Sequence, residues 1–229
     1  MAKDLKNIKK NSNKFNLQLP KLPRLLEHQI TLDRNIQDED AFHQGLIKEC
    51  TIENQTARHV CFEEVVFQQV QFDQVQLKGV ELTDVIFEKC DLSNVDLSKA
   101  IIHRAEFRDC KLVGTNLLEA GLNHVLFKDC QLNYAAFGLT SLKKVRFEDC
   151  SLRSTDFFEA TFAQIEFGKS DIHQAQFSGT KLKGVDISQC KFESIMVALD
   201  ELEGCIVSSE QAIAFAKNLG LIVKDQSET

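Results

Sequence analysis

Residues 85–100 read V-I-F-E-K-C-D-L-S-N-V-D-L-S-K-A, with Phe87, Leu92 and Leu97 standing five apart. An extended chain shows one face every second residue and an α-helix returns after about 3.6 residues, so a large apolar side chain at every fifth position fits neither element alone. The spacing runs on in both directions. Of the 34 positions at five-residue intervals from Phe42 to Val207, all but Ala57 hold Phe, Leu, Ile or Val, and they take fourteen of the 17 Phe. Two residues before each lies a second selected position, small or β-branched: Val65, Val70, Val75, Val80, Val85, Cys90, Val95, Ala100. Residues two apart share a face only where the chain is extended, so each pentapeptide reads as a very short strand closed by a corner. Two residues after the large one, the corner carries Gly79, Gly114, Gly179 and Gly184 beside Asn54, Asp84, Asp109, Asp129 and Asp149, residues that accept turn geometry.

A slower rhythm sets the number of sides. Phe at 67, 87, 107, 127, 147 and 167, and Cys at 90, 110, 130 and 150, both recur every twenty residues. Twenty residues are four pentapeptides, so like stacks on like when each coil has four sides. The expected object is an all-β quadrilateral solenoid over residues 42–207, of about eight coils at the ~4.8 Å interstrand distance, hence about 40 Å long.

In C-D-L-S-N (90–94) and V-D-L-S-K (95–99) the chain resembles the pentapeptide-repeat family, whose pattern is A(D/N)LXX. The resemblance covers 42–207 and implies a right-handed quadrilateral parallel β-helix. It also implies a function: several members are similar to B-DNA in width and charge, bind DNA gyrase or topoisomerase IV at the DNA site, and protect against quinolones. The uninterrupted register resembles their loop-free, Gram-positive, Qnr-like type, so no residue of a projecting loop is carried over.

Composition narrows the classes further. The chain has 229 residues, 43% of them hydrophobic, which excludes disorder of the whole. A formal charge of −7 argues against a nucleic-acid binder. There is no long apolar run for a membrane and the N-terminus is polar, so a cytoplasmic location is the expectation. The eight Cys then read as reduced thiols. Ladder cysteines on one line make no tetrahedral metal site, and the six His are scattered; His103 and His124 read as solvated surface groups. No Gly-rich phosphate loop and no nucleophile with a base is evident. The expectation is a protein without catalytic activity, cofactor or metal.

The ends lie outside the repeat. Residues 1–14 are expected to be disordered, and 15–41 to form a strap and cap, with Leu46, Val66 and Ile86 as the outward column that the strap covers. Residues 208–229 read as a capping helix, with Ser208 as N-cap, Gln211 as its capping-box partner and Gly220 at its end, followed by a short strand at Leu221–Val223. Ala212, Ile213, Phe215, Ala216 and Leu219 make that helix more apolar than a lid requires. They are candidate homodimer contacts, as the resemblance also implies.

Two surfaces stand out. The side of Phe67 and Phe87 is the most acidic, with Glu88, Glu106, Asp109, Asp129, Glu148, Asp149, Glu166 and Asp186 as the candidate face for a topoisomerase. On the side of Leu117, Phe137 and Phe157, the outward residues Leu118, Leu139 and Phe158 fall on successive coils and form a candidate apolar partner patch. Two functions follow: a DNA mimic bound to a type II topoisomerase, or an interaction scaffold for another protein.

Overall fold

The computed structural model describes residues 16–23, 28–31 and 35–224. Eleven strands and one helix follow in order: β1 (Ala41–Lys48), β2 (Thr51–Glu53), β3 (Thr56–Arg58), β4 (Cys61–Gln68), β5 (Gln71–Asp73), β6 (Gln76–Lys78), β7 (Glu81–Glu88), β8 (Ile101–Arg108), β9 (Gly121–Lys128), β10 (Ser141–Glu148), β11 (Thr161–Glu166) and α1 (Ser209–Asn218). The strands stack in parallel as one seven-stranded sheet, β1-β4-β7-β8-β9-β10-β11, and two two-stranded ones, β2-β5 and β3-β6. Phe67 pairs with Phe87, Phe87 with Phe107 and Phe107 with Phe127, the twenty-residue offset that stacks like on like.

The four sides are not equal, contrary to the expectation of a short strand in each pentapeptide. Two adjacent sides fuse into eight-residue strands such as β7 and β9, which pass the corner through one left-handed residue, Asp84 at φ 55° and His124 at φ 58°. The other two sides shrink, from β7 onward, to single bridges such as Asp91↔Lys111 and Asp96↔Asn116. The residue before the large one contributes. Asp91 Oδ1 accepts from Ser93 N at 3.0 Å and Asp96 Oδ1 from Ser98 N at 2.9 Å, turns closed by the side chain itself. Lys111 and Ala136 make the same single bridges and turns without such an acceptor, so the aspartates reinforce these corners and do not alone cause them.

Inside, Phe67, Phe87, Phe107, Phe127, Phe147 and Phe167 form one column with successive ring centroids 4.6, 4.7, 4.8, 5.0 and 5.4 Å apart. Phe137, Phe157 and Phe177 form a second, at 5.1 and 5.3 Å. The ladder cysteines fill the small inner position and use their one donor: the Cys110 thiol donates to Phe87 O and that of Cys130 to Phe107 O. Thr115 does the same to Leu92 O at 2.8 Å. All eight thiols are free. Burial pushes the Cys190 thiol up to about 12, so the thiolate that would react or bind metal is suppressed.

At the C-terminal end, Ser208 caps α1 and forms the full capping box with Gln211. The Gln211 amide also donates to Ile187 O and Cys190 O, and Phe215 lies 5.8 Å from Phe192, which seats the helix on the last coil. Leu221–Val223 is not a strand: a strand needs an edge to pair with, and Ile222 is 89% exposed. The expectation for residues 1–14 lies outside the described residues.

Candidate binding faces

The strap reaches further than the three coils its apolar pattern implied. Near the start of the solenoid Ile30 N donates to Leu46 O and Leu46 N to His28 O, adding a parallel bridge to β1. Further along, Lys21 N donates to Asp84 Oδ1 at 2.8 Å and Gln18 N to His124 Nδ1 at 2.9 Å. The strap therefore runs up the corner column 84, 104, 124 towards the C-terminal coils. Beneath it lies a polar seam that sequence reasoning missed. Arg104 Nε donates to Asp84 Oδ1 at 2.6 Å, its guanidinium touches His103, and the His103 and His124 rings are 6.1 Å apart, edge to face. Both Asp84 and His124 are buried. The surface reading of His124 is thus corrected: the signal was there, since a His and an Asp stand forty residues apart at the same corner, but nothing in the repeat indicated what would cover them.

His124 makes strap docking pH-dependent. Burial lowers its affinity for a proton, and Lys144, His103, Arg104 and Lys143 around it act the same way. The nitrogen that accepts from Gln18 must be unprotonated. With the folded value depressed below the ordinary 6.5, the contribution is whole above 6.5 and is lost as pH falls through the folded value. The Gln18 amide resonance, followed by NMR from pH 7.5 down to 5, is expected to lose its hydrogen-bonded shift in the wild type and to keep it in His124→Gln. A wild-type shift that does not move contradicts this.

The acidic residues expected on one face divide into three groups. Asp109, Asp129, Asp149 and Asp186 are exposed; Glu88, Glu148 and Glu166 are half-buried. Glu148 pairs with Lys128 at 3.1 Å, Glu166 with Arg146 at 2.6 Å, and Glu88 accepts from the Gln68 amide at 3.0 Å. Glu106 is 1% exposed and does not belong to the surface at all. It sits in the outward column Leu46, Val66, Ile86, Glu106, Leu126, between the strap's contacts at the Asp84 and His124 levels. Of the four exposed acids, Asp109, Asp129 and Asp149 stand on one corner, each at φ 53°, and among the described residues no ion pair reaches them. Aspartate tolerates that left-handed backbone.

The apolar trio is exposed as well: Leu118 38%, Leu139 49% and Phe158 43%. Between them Gly138 leaves the backbone bare, and a Cβ there would meet Leu118 Cδ1 at 3.2 Å. Tyr134, 69% exposed on the neighbouring corner, was not anticipated because it lies on a different side of the repeat. Leu139 holds φ 57°, a conformation that costs a leucine about 1–2 kcal/mol. At the C-terminus Phe215 and Ala216 turn towards the last coil, while Ile213 is 40% and Leu219 53% exposed; an apolar groove of about 280 Å³ runs between Leu202, Val207, Ala212, Phe215 and Leu219. Among the described residues no group of three His, Cys, Asp or Glu is placed to hold a metal ion, and no helix is long and apolar enough to cross a membrane.

Comparison with known proteins matches residues 80–157 to the pentapeptide repeat region model, and 61–98 and 155–193 to the model of pentapeptide repeats in eight copies. The Bacillus subtilis (strain 168) protein YisX is 45% identical over 211 residues, covering 92% of this chain and 99% of its own. Among solved structures, a trypsin-treated form of QnrB1, a plasmid-mediated fluoroquinolone resistance protein, shares 22% identity over 82% of this chain and 99% of its own, with a TM-score of 0.42. HetL, a pentapeptide repeat protein involved in heterocyst differentiation regulation from Nostoc sp. strain PCC 7120, shares 16% over 76% of this chain and 87% of its own, at 0.35.

Proposed function

Because this chain belongs to the pentapeptide-repeat family, we propose that it is a non-catalytic binding rod that offers a DNA-like acidic edge to a type II topoisomerase, DNA gyrase or topoisomerase IV, in the cytoplasm, and thereby gives tolerance to quinolones. The observation that carries the reading is the corner ladder of Asp109, Asp129 and Asp149. Its three exposed carboxylates stand one coil apart on a backbone tied between coils by Asp109 N to Lys128 O and Asp129 N to Glu148 O, both 3.0 Å. Their spacing, about 4.8 Å, compares with about 3.4 Å of axial rise per phosphate along one DNA strand, a line density roughly 70% of one strand's and about 35% of the duplex's over that stretch. Glu148 and Glu166 contribute less, since Lys128 and Arg146 neutralise them. Two copies joined at the C-terminal helices, through Ile213 and Leu219, would lengthen the edge about a two-fold axis.

A second reading is favoured by one observation. An exposed leucine in a left-handed conformation, Leu139, between Leu118 and Phe158 is costly to keep without a use. It supports a scaffold that binds another protein through the apolar side.

One assay separates the two. The purified protein is expected to inhibit gyrase supercoiling at micromolar concentration, less so as salt rises, and to rescue supercoiling from a quinolone. Replacing Asp109, Asp129 and Asp149 together by Asn, which keeps the corner backbone, should raise the inhibitory concentration at least tenfold without changing the circular dichroism. Leu118→Ser with Phe158→Ser should leave it unchanged. The opposite pattern favours the scaffold, and wild-type protein that neither inhibits nor rescues rejects the topoisomerase.

A further inference from the structure

On the side of Leu117, Phe137 and Phe157 the outward residues change character at one coil. The bridged column Gln76, Asp96, Asn116, Ala136, Asp156, Gln176 is polar at every step except Ala136. Gly138 and Leu139 follow, and Tyr134 stands at the corner before, so this coil presents an apolar, uncharged strip with a bare backbone at its middle. Tyr134 and Leu139 both hold left-handed backbone, φ 61° and 57°. Away from that coil the pattern is the same in both directions along the rod. One coil to either side stand Asn116, Leu118 and Glu119, and Asp156, Phe158 and Glu159; two coils to either side stand Asp96 with Ser98, and Gln176 with Ser178. The strap's contacts at Asp84 and His124 lie on another corner, and Asp109, Asp129 and Asp149 on a third, so neither occupies this side.

We propose that this side is the contact between two copies of the chain, packed antiparallel about a two-fold axis that crosses the rod at the level of Gly138. Such an axis exchanges the coils above and below it, so the face fits its own copy only where its two halves complement each other. They do. Leu118 meets the partner's Phe158, and Phe158 the partner's Leu118; Leu139 and Tyr134 meet their own counterparts, while Ala136 and Gly138 let the backbones approach. The polar column matches as well: Asn116 faces the partner's Asp156, and Asp96 the partner's Gln176, an amide against a carboxylate both times. Asp156 Oδ1 accepts from Phe158 N at 2.9 Å, and Gln176 Oε1 accepts from Ser178 N and Oγ, which leaves Asp156 Oδ2 and the Gln176 amide nitrogen for the partner. One meeting is unfavourable, Glu119 with the partner's Glu159, and Lys99, 3.3 Å from Glu119, offsets it in part. Parallel packing, with the axis along the rod, sets Leu118 on Asn116 and Phe158 on Asp156, polar groups against apolar ones. The contact takes in a few coils of one side, less than a permanent dimer needs, so it forms in the micromolar range. It is independent of the topoisomerase reading, because the corner of Asp109, Asp129 and Asp149 lies away from it in both copies.

The test uses the full chain carrying Ile213→Ser and Leu219→Ser, which takes the C-terminal helix out of the comparison. Sedimentation equilibrium is expected to show this protein passing from the mass of one chain to that of two over about 1–200 µM. Adding Leu118→Ser and Phe158→Ser should weaken the association at least tenfold with the circular dichroism unchanged. A protein that stays one chain throughout, or an association that these two changes leave alone, overturns the proposal. Orientation is read separately in Ala136→Cys, a position that already bears a Cβ. A short bis-maleimide is expected to join position 136 of one chain to position 136 of another, found by mass spectrometry of the peptides. Links to the exposed Cys50 alone, or none, overturn the antiparallel packing.

Discussion

Phe127→Ala is expected to lower the free energy of unfolding by about 3–5 kcal/mol, the upper part of the range for emptying a buried aromatic site. Phe127 has no solvent exposure. It is stacked 4.8 Å from Phe107 and 5.0 Å from Phe147, and meets Phe137 edge to face at 6.2 Å. The cost falls at the top of the range because the site cannot collapse. The rings above and below are held apart by strands paired to β9 on both sides, so closing the void would break the ladder itself. In a solenoid each coil is stabilised chiefly by its neighbours, and a middle coil has two. Phe42 is the control: among the described residues it stacks on Phe62 alone, at 5.0 Å, and it is only partly buried. Urea unfolding followed by circular dichroism should show Phe42→Ala losing less than half as much as Phe127→Ala. Equal losses would mean that position in the stack does not set the cost.

The stacking register was wholly legible in the sequence, because a period of five within a period of twenty determines both which residues point inward and which residue lies above which. Phe67 over Phe87 over Phe107 follows from counting. The unequal sides were not read: Asp91 and Asp96 close a turn with their own side chains, but Lys111 and Ala136 turn at the same position without one, so the residue before the large one is only a partial sign. Periodicity tells the direction of a side chain but not the conformation of the corner beside it. The strap was half legible. Leu46, Val66 and Ile86 announced a covered column, and Glu106 concealed its continuation, since a charge looks like the end of an apolar run. The exposure of Leu118, Leu139 and Phe158 follows from register alone. Tyr134 holds the same register position after Leu132 that Leu139 holds after Phe137, so its exposure was equally legible and was passed over because it falls on a different side.

Glu106→Leu is expected to stabilise the protein, by about 1–3 kcal/mol, although it removes an ion pair. Glu106 is buried between Ile86 and Leu126 in the paired strands β7, β8 and β9. Its only charged contact among the described ion pairs is Arg108, on the same strand, and its Oε2 accepts no well-directed hydrogen bond. A buried carboxylate oxygen left in that state costs more than the pair returns, because Arg108 keeps 46% of its side chain in water and its attraction is screened. Leucine has nearly the volume of the glutamate and completes the column Leu46, Val66, Ile86, Leu126, while Arg108 loses nothing that water cannot replace. The urea midpoint of Glu106→Leu should therefore rise, and that of Glu106→Gln, which keeps a polar oxygen in the same place, should rise less. A fall for leucine would show that the carboxylate takes a donor from the strap, and the acid would then be a latch for the N-terminal segment, not an interruption in an apolar seam.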